Sequence, residues 1–333
     1  MVVAALKKGL WRRSSWSFGF QQTGCGMNGS RARMVVTGRY GQVVQSLLER
    51  GRYSDRFEVI AIGRPELDLS APDSIEAILR NVHPDVIVSA AAYTAVDQAE
   101  TEEDAATVVN GVAAGKIAAL ATELDVPVIH LSTDYVFDGS KPLAYIESDP
   151  VAPLGAYGRS KLAGEKAVAE ATSNHVILRT AWVYSPFGKN FLKTMLRLAE
   201  GRDRLNVVDD QIGNPTSALD IADGILKVAA NVLSSDASEL RGIFHMAGSG
   251  EASWADFAVE IFAQSALHAG PTVDVARIPS SQYPTQAKRP VNSKLECSKL
   301  GEIHDVRLPD WRKSTAKTVA RLAQQQYKEQ GQG

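Results

Sequence analysis

Cysteine is nearly absent: the 333-residue chain has two, Cys25 and Cys297. Two thiols can build neither a disulfide framework nor a zinc cluster. Neither sign of charge is in excess, with 36 Lys+Arg against 38 Asp+Glu and a formal net charge of −2. Without a basic surplus the chain lacks the electrostatic footprint of a nucleic-acid binder. Uninterrupted apolar runs stop well short of the roughly 18 residues that cross a bilayer, so no membrane partner is expected. No repeat, low-complexity tract or Pro/Gly linker cuts the chain. These absences point to a reducing, cytoplasmic setting.

What remains is an ordinary globular composition, 44% hydrophobic and 22% charged, long enough for one large domain or two moderate ones. Residues 1–33 stand apart. They carry Lys7, Lys8, Arg12, Arg13, Arg31 and Arg33, and the first carboxylate in the chain is Glu49. An acid-free, Arg- and Ser-bearing start fits a transit peptide, a disordered arm or an upstream start codon, with Met27 or Met34 as the working start. The expectation is an arm outside the working fold.

From Met34 strands and helices alternate. Met34–Thr37, Glu58–Ile62, Asp85–Ser89, Pro127–Ser132 and Val176–Arg179 read as strands. Gln42–Arg50, Ser74–Val82, Ala105–Leu124 and Tyr157–Ala171 read as helices. That alternation predicts an α/β fold with a doubly wound parallel sheet, its apolar strands covered on both faces. Beyond about residue 181 the alternation weakens. The spacing therefore predicts a sheet domain over 34–180, a return to it over 215–245, and a smaller C-terminal lobe in most of 181–333. The tail Ser314–Lys328 has helical spacing and is expected to cap that lobe.

The segment Thr37-Gly38-Arg39-Tyr40-Gly41-Gln42-Val43-Val44 follows the first strand and opens a helix. Glycines there let the backbone turn tightly and approach a pyrophosphate seated on the helix N-terminus. Val44 occupies the third glycine position of such a loop, which predicts a wider helix–strand fit or a compensating small residue. An acid after the second strand would bind a ribose 2′-hydroxyl, whereas an arginine accommodates a 2′-phosphate. The second strand ends Ile62-Gly63-Arg64, which favours NADPH and leaves NADH open.

Tyr157 and Lys161 are four residues apart on a predicted helix, so their side chains share a face. A phenol near pKa 10 is a poor acid at neutral pH, and an adjacent ammonium lowers that pKa. The tyrosine can then act as general acid toward a carbonyl undergoing reduction. Ser132-Thr133-Asp134-Tyr135 ends a strand 24 residues earlier, where the ligand crevice of such sheets lies. The Thr133 hydroxyl can hydrogen-bond the same carbonyl.

With these elements placed, the chain resembles the extended short-chain dehydrogenase/reductase family, and more narrowly its branch that reduces deoxysugar nucleotides. The stretches that carry the resemblance are Gly41-Gln42-Val43, Asp68-Leu69-Ser70, Pro84 through Asp97, Ser132 through Gly139, Tyr157 through Glu165, Arg179 through Tyr184, Gly188 through Phe191, Asp210 through Thr216 and Arg289 through Ser293. It covers Met34 to about Leu322. Ser89 stands where the family usually has Asn.

The resemblance implies a Rossmann-type domain. It also implies hydride transfer from NAD(P)H to C4 of dTDP-4-dehydro-6-deoxy-L-mannose, giving dTDP-L-rhamnose, a cell-envelope sugar donor. Tyr157 would be the acid, Lys161 its partner reaching the nicotinamide ribose, and Thr133 the holder of the sugar oxygen. Gly38, Gly41, Gln42, Val43 and Arg64 would bind the cofactor. Asp68 and Leu69 would lie beside its adenosine, and Ala92, Tyr93 and Thr94 would line its channel. Asp134 and Trp182 would touch the deoxysugar nucleotide, with Asn190, Arg289 and Asn292 toward its nucleotide end. Family members have been associated with Mg²⁺ at a homodimer contact. No acidic cluster can be placed for it, Glu200 and Asp209 being poor candidates, and no catalytic metal is expected.

Two alternatives stay open. One is another nucleotide-sugar reductase or epimerase of the same fold. A dehydratase is disfavoured because Thr133 is followed by Asp134 and Tyr135 rather than an Asp-Glu pair. The other is a non-catalytic NADP-binding subunit resembling the regulatory subunit of methionine adenosyltransferase. His83, His130, His245 and Cys297 read as packed or loop residues.

Overall fold

The computed structural model describes residues 31–330. The expected arm lies outside that range except for its last three residues. Six strands form one fully parallel sheet: β1 (Ala32–Thr37), β2 (Phe57–Ile62), β3 (Val86–Ser89), β4 (Val128–Thr133), β5 (His175–Thr180) and β6 (Gly242–His245). Their spatial order is β6-β5-β4-β3-β1-β2. Every residue of β3 and β4 is buried, the mark of strands covered on both faces.

Helices flank the sheet. On one face, α1 (Gln42–Gly51) and α5 (Ala218–Val232) pack together. Val44, Leu47, Ile221 and Ile225 join Met34, Val36 and Val88 there in a single core. On the other face, α2 (Ala113–Glu123) and α3 (Ala156–Ala171) pair, and Ile117, Leu120 and Val168 meet Val35, Ile87 and Ile177.

The expected Ala-rich helix is present with one difference. An α-helical turn at Glu103–Thr107 passes through a π-helical turn at Val108–Val112 before α2. The wide turn carries Asn110 inward. Its Oδ1 accepts from Tyr93 N at 2.8 Å, and its Nδ2 donates to Tyr93 O at 3.1 Å and Ser160 Oγ at 2.9 Å. Among the described residues, Glu103–Glu123 is also the one helix long and apolar enough to cross a membrane, and half of that stretch is buried in the protein.

A second core lies beyond β5. There α4 (Phe191–Ala199), α6 (Trp254–Ala266) and α7 (Trp311–Gln330) enclose Leu192, Met195, Phe257, Ile261 and Trp311. The parallel pair Arg204–Val208 and Asp274–Ile278 lies against them. Ser253 starts α6 with a reciprocal cap: its hydroxyl accepts from Asp256 N, and the Asp256 carboxylate accepts from Ser253 N, which satisfies two otherwise orphaned donors.

Gly164 decides how closely α3 approaches the π turn. A Cβ at that position would lie 2.1 Å from the Asn110 carbonyl oxygen. Alanine favours a helix over glycine by about 0.8–1.0 kcal/mol, but a clash against backbone cannot be relieved by a rotamer. Overpacking costs about 1–3 kcal/mol, so Gly164→Ala is expected to destabilise the protein. Urea unfolding checks this; a midpoint that rises would mean the π turn yields freely.

Candidate active site

The carboxyl ends of the strands open onto one cleft of about 1180 Å³. It sits where the chain order reverses between β1 and β3, the switch point that receives ligands in open α/β sheets. Thr37 links the two strands at this point: its Oγ1 accepts from Ala90 N at 3.0 Å and Ala91 N at 3.1 Å. Gly38, Gly41, Gln42, Val43, Arg64, Asp68, Leu69, Ala92, Tyr93, Thr94, Thr133, Asp134, Tyr157, Lys161 and Trp182 all line the cleft.

At one end lies the glycine turn. Gly38 adopts φ +102°, a conformation that glycine takes without strain. The first turn of α1 carries no acid, leaving its N-terminus fit for an anion. Val44 is buried in the core behind the turn, and a Cβ at Gly38 would lie 3.3 Å from its Cγ2. A Cβ at Gly63 would sit 2.9 Å from the backbone of Gly38, so no acidic side chain fits at the strand tip. The groups that reach the cleft there are Arg64 and Arg39. Arg39, which pairs with Glu66 at 2.8 Å, went unremarked in the sequence although it lies within the turn motif.

At the other end sit Thr133, Tyr157 and Lys161. Lys161 is almost wholly buried, and burial brings its ammonium down to about pKa 8, while the nearby Glu165 carboxylate opposes the shift. Its Nζ donates to Leu131 O at 2.6 Å and lies 3.3 Å from His130 Nε2. Burial holds His130 well below its usual pKa, with the Lys161 charge adding to the effect. A neutral His130 accepts from the ammonium and presents its other nitrogen to Ser89 Oγ at 3.1 Å. Behind Lys161, Glu165 is locked by Arg179 Nη2 at 2.7 Å and Ser132 Oγ at 2.5 Å.

Tyr157 departs from expectation. Burial pushes its phenol up to about 12, the Asp134 charge adds to the rise, and a hydrogen bond with Thr133 opposes it. Lys161 directs two of its bonds to β4 rather than to the phenol. Tyr135 meets Tyr157 edge-on, with ring centroids 6.0 Å apart. Burial holds the Tyr135 phenol above its usual pKa, and the nearby Arg289 charge opposes the rise.

Three candidates lie outside the cleft lining. Asn190 caps α4, its Oδ1 accepting from Lys193 N at 3.0 Å. Arg289 grips Asp97 at 2.7 and 3.1 Å. Asn292 donates to the carbonyls of Lys141 and Leu143 and accepts from Lys294 N. Their polar groups hold loops together. Conversely, Trp254 lines the cleft with no local sequence signal. It stacks on Trp182 with centroids 3.5 Å apart and 3° between planes. Trp182 holds φ +46°, a left-handed conformation that costs a non-glycine residue about 1–2 kcal/mol. Among the described residues no group of three or more His, Cys, Asp or Glu could hold a metal. Asp209 is engaged by Ser253 and Arg277.

The parallel sheet, the glycine turn at its switch point and the cleft above define a Rossmann-type dinucleotide-binding architecture. Comparison with known proteins narrows the class. The family described as the RmlD substrate binding domain matches residues 32–324. A dTDP-4-dehydrorhamnose reductase of Sinorhizobium fredii is 50% identical over 287 residues, covering 86% of this chain and 96% of that one. One from Burkholderia thailandensis is 43% identical, covering 88% and 100%. A Bacillus anthracis dTDP-4-dehydrorhamnose reductase solved in complex with NADP superposes with a TM-score of 0.81 at 32% identity, covering 88% and 100%. This chain belongs to the dTDP-4-dehydrorhamnose reductase family.

Asp134 gives the site a pH signature. It is 3% exposed, and burial raises its carboxyl to about 7, against hydrogen bonds from Ser293 and Thr133 that pull it down. A group whose folded pKa exceeds its unfolded value of about 3.9 contributes stability at low pH and loses it as pH rises toward the folded value. The wild-type protein is therefore expected to lose roughly 2–4 kcal/mol from this group between about pH 4 and pH 7. Asp134→Asn, which stays neutral, should melt above wild type at pH 8 and show little gain at pH 5. Equal shifts at both pH values would rule the assignment out.

Proposed function

We propose that the chain reduces the C4 carbonyl of dTDP-4-dehydro-6-deoxy-L-mannose to dTDP-L-rhamnose with NADPH as reductant. The observation that supports this most directly is the placement of Thr133, Tyr157 and Lys161 together at the carboxyl edge of the sheet, inside the one cleft that also holds the glycine turn. In this reading residues 34–180, with the returning 215–245, hold the cofactor. The rest of 181–333 holds the sugar nucleotide.

The Gly38–Gly41 turn and the N-terminus of α1 bind the pyrophosphate. Arg64, with Arg39 beside it, meets the 2′-phosphate, and Asp68 and Leu69 flank the adenosine. The reduced nicotinamide, when bound, supplies the hydride. Tyr157 donates its proton to the C4 oxygen as negative charge develops there. The Thr133 hydroxyl hydrogen-bonds the same oxygen and so favours the charged transition state. Lys161 has two of its three N–H groups directed at Leu131 O and His130. The third is left for the ribose hydroxyls, and the positive charge stabilises the phenolate that proton donation leaves behind. Asp134 and the Trp182 ring contact the deoxysugar. Arg289 acts through Tyr135, and Asn190 and Asn292 shape the loops around the nucleotide.

Loss of reduced-nicotinamide absorbance with dTDP-4-dehydro-6-deoxy-L-mannose tests the proposal. Wild type should consume NADPH with formation of dTDP-L-rhamnose, and Tyr157→Phe should lower kcat by about 10²–10⁴. If wild type oxidises neither NADPH nor NADH, the function is overturned. Arg64→Ala should raise KM for NADPH about tenfold, the scale of one lost charged contact, and leave KM for NADH unchanged. Equal effects on both cofactors would remove Arg64 from the 2′-phosphate.

A further inference from the structure

We infer that the Gln42 side chain couples the cofactor turn to the sugar-nucleotide lobe, so that each ligand tightens the binding of the other. The inference rests on the functional reading above and concerns how its two subsites communicate.

Gln42 opens α1, and its backbone belongs to the turn that faces the pyrophosphate. Its side chain bonds to residues more than 140 positions later. Nε2 donates to Val183 O at 3.2 Å. Oε1 lies 2.8 Å from Ser185 Oγ and accepts from Asn190 Nδ2 at 2.9 Å. The hydrogen bonds themselves fix the orientation of the amide. Asn190 Oδ1 is committed to Lys193 N, so its Nδ2 must be the donor and Gln42 Oε1 the acceptor. Gln42 Nε2 is then the end that meets the Val183 carbonyl. A glutamate would oppose that carbonyl with an oxygen, and a leucine would leave it unpaired.

The segment held in this way, 183–190, leads directly from Trp182 and contributes Gly188 and Lys189 to the cleft. A second clamp ties the same two elements. Arg321 of α7 makes a two-pronged pair with Glu49 of α1, both bonds 2.7 Å, and its guanidinium lies 5.0 Å from the centre of the Phe187 ring. Helix α1 is thus pinned to the segment 183–190 at its first residue and again near its last. A ligand that settles the N-terminus of α1 also settles Trp182 and Lys189, and linkage makes the effect mutual.

The test is calorimetric. NADPH and dTDP-L-rhamnose form a ternary complex in which no reaction can occur. In wild type, saturation with NADPH should tighten dTDP-L-rhamnose about tenfold, within the range usual for coupled sites, with the same factor in the reverse order. Gln42→Leu should bring that factor close to one, read as the ratio of affinities with and without the other ligand, whatever it does to each affinity alone. Arg321→Met, which leaves the turn untouched, should lower it part of the way. A merely structural role for Gln42 would weaken the separate affinities and leave their ratio alone. No coupling in wild type, or full coupling in a folded Gln42→Leu, overturns the inference while the function stands. If Gln42→Leu does not fold, full coupling in Arg321→Met overturns it. Failure of wild type to bind NADPH at all overturns the functional reading and the inference with it.

Discussion

The crevice between β1 and β3 exists because the chain leaves β1 toward β2 on one side and continues from β3 toward β4 on the other. Everything chemical in the molecule depends on that reversal. Thr37 spends its hydroxyl on two backbone donors of the segment after β3, joining the two strands where their connections diverge. The glycine turn, the strand tip with Gly63 and Arg64, and the Ala92–Thr94 stretch all emerge at the same edge. A slip of one residue in either strand would turn each of these groups to the wrong face.

Beside the crevice, the protein buries charge and arranges for each burial to be answered. Lys161 gives protons to β4, His130 stays neutral to receive one, and Glu165 stands a turn away with its own charge matched by Arg179. Breaking such a buried pair by removing one partner is costly, because the other charge is left without compensation. The arrangement holds the ammonium still and leaves one N–H free. The same burial raises the Tyr157 phenol, so it gives up its proton less readily than a free tyrosine. The approach of α3 to the π turn at Asn110 belongs to this economy: Gly164 lets the helix carrying Tyr157 and Lys161 lie against the turn that holds Tyr93.

The family likeness and the geometry support each other at different scales. The Sinorhizobium fredii reductase is 50% identical over 86% of this chain, which shows the family. Here the strand tip excludes an acid by sterics, two arginines stand in its place, and a Trp182–Trp254 stack faces the pocket from the second core.

The alternation of apolar strands and helices, the turn Gly38–Gly41 and the spacing of Tyr157 and Lys161 were all legible in the sequence. Each is a local pattern: periodicity sets which face is buried, and neighbours in sequence are neighbours in space. What the sequence could not decide was whatever depends on distant partners. The phenol of Tyr157 is raised rather than lowered, because burial outweighs the hydrogen bond with Thr133 that opposes it. Asn190 and Arg289 serve a helix cap and a loop clamp, because Lys193 N and Asp97 reach them first. Trp254 enters the cleft only because α6 packs beside Trp182. A side chain's chemistry is set by what desolvates it and what bonds to it, and those partners are chosen by the tertiary fold.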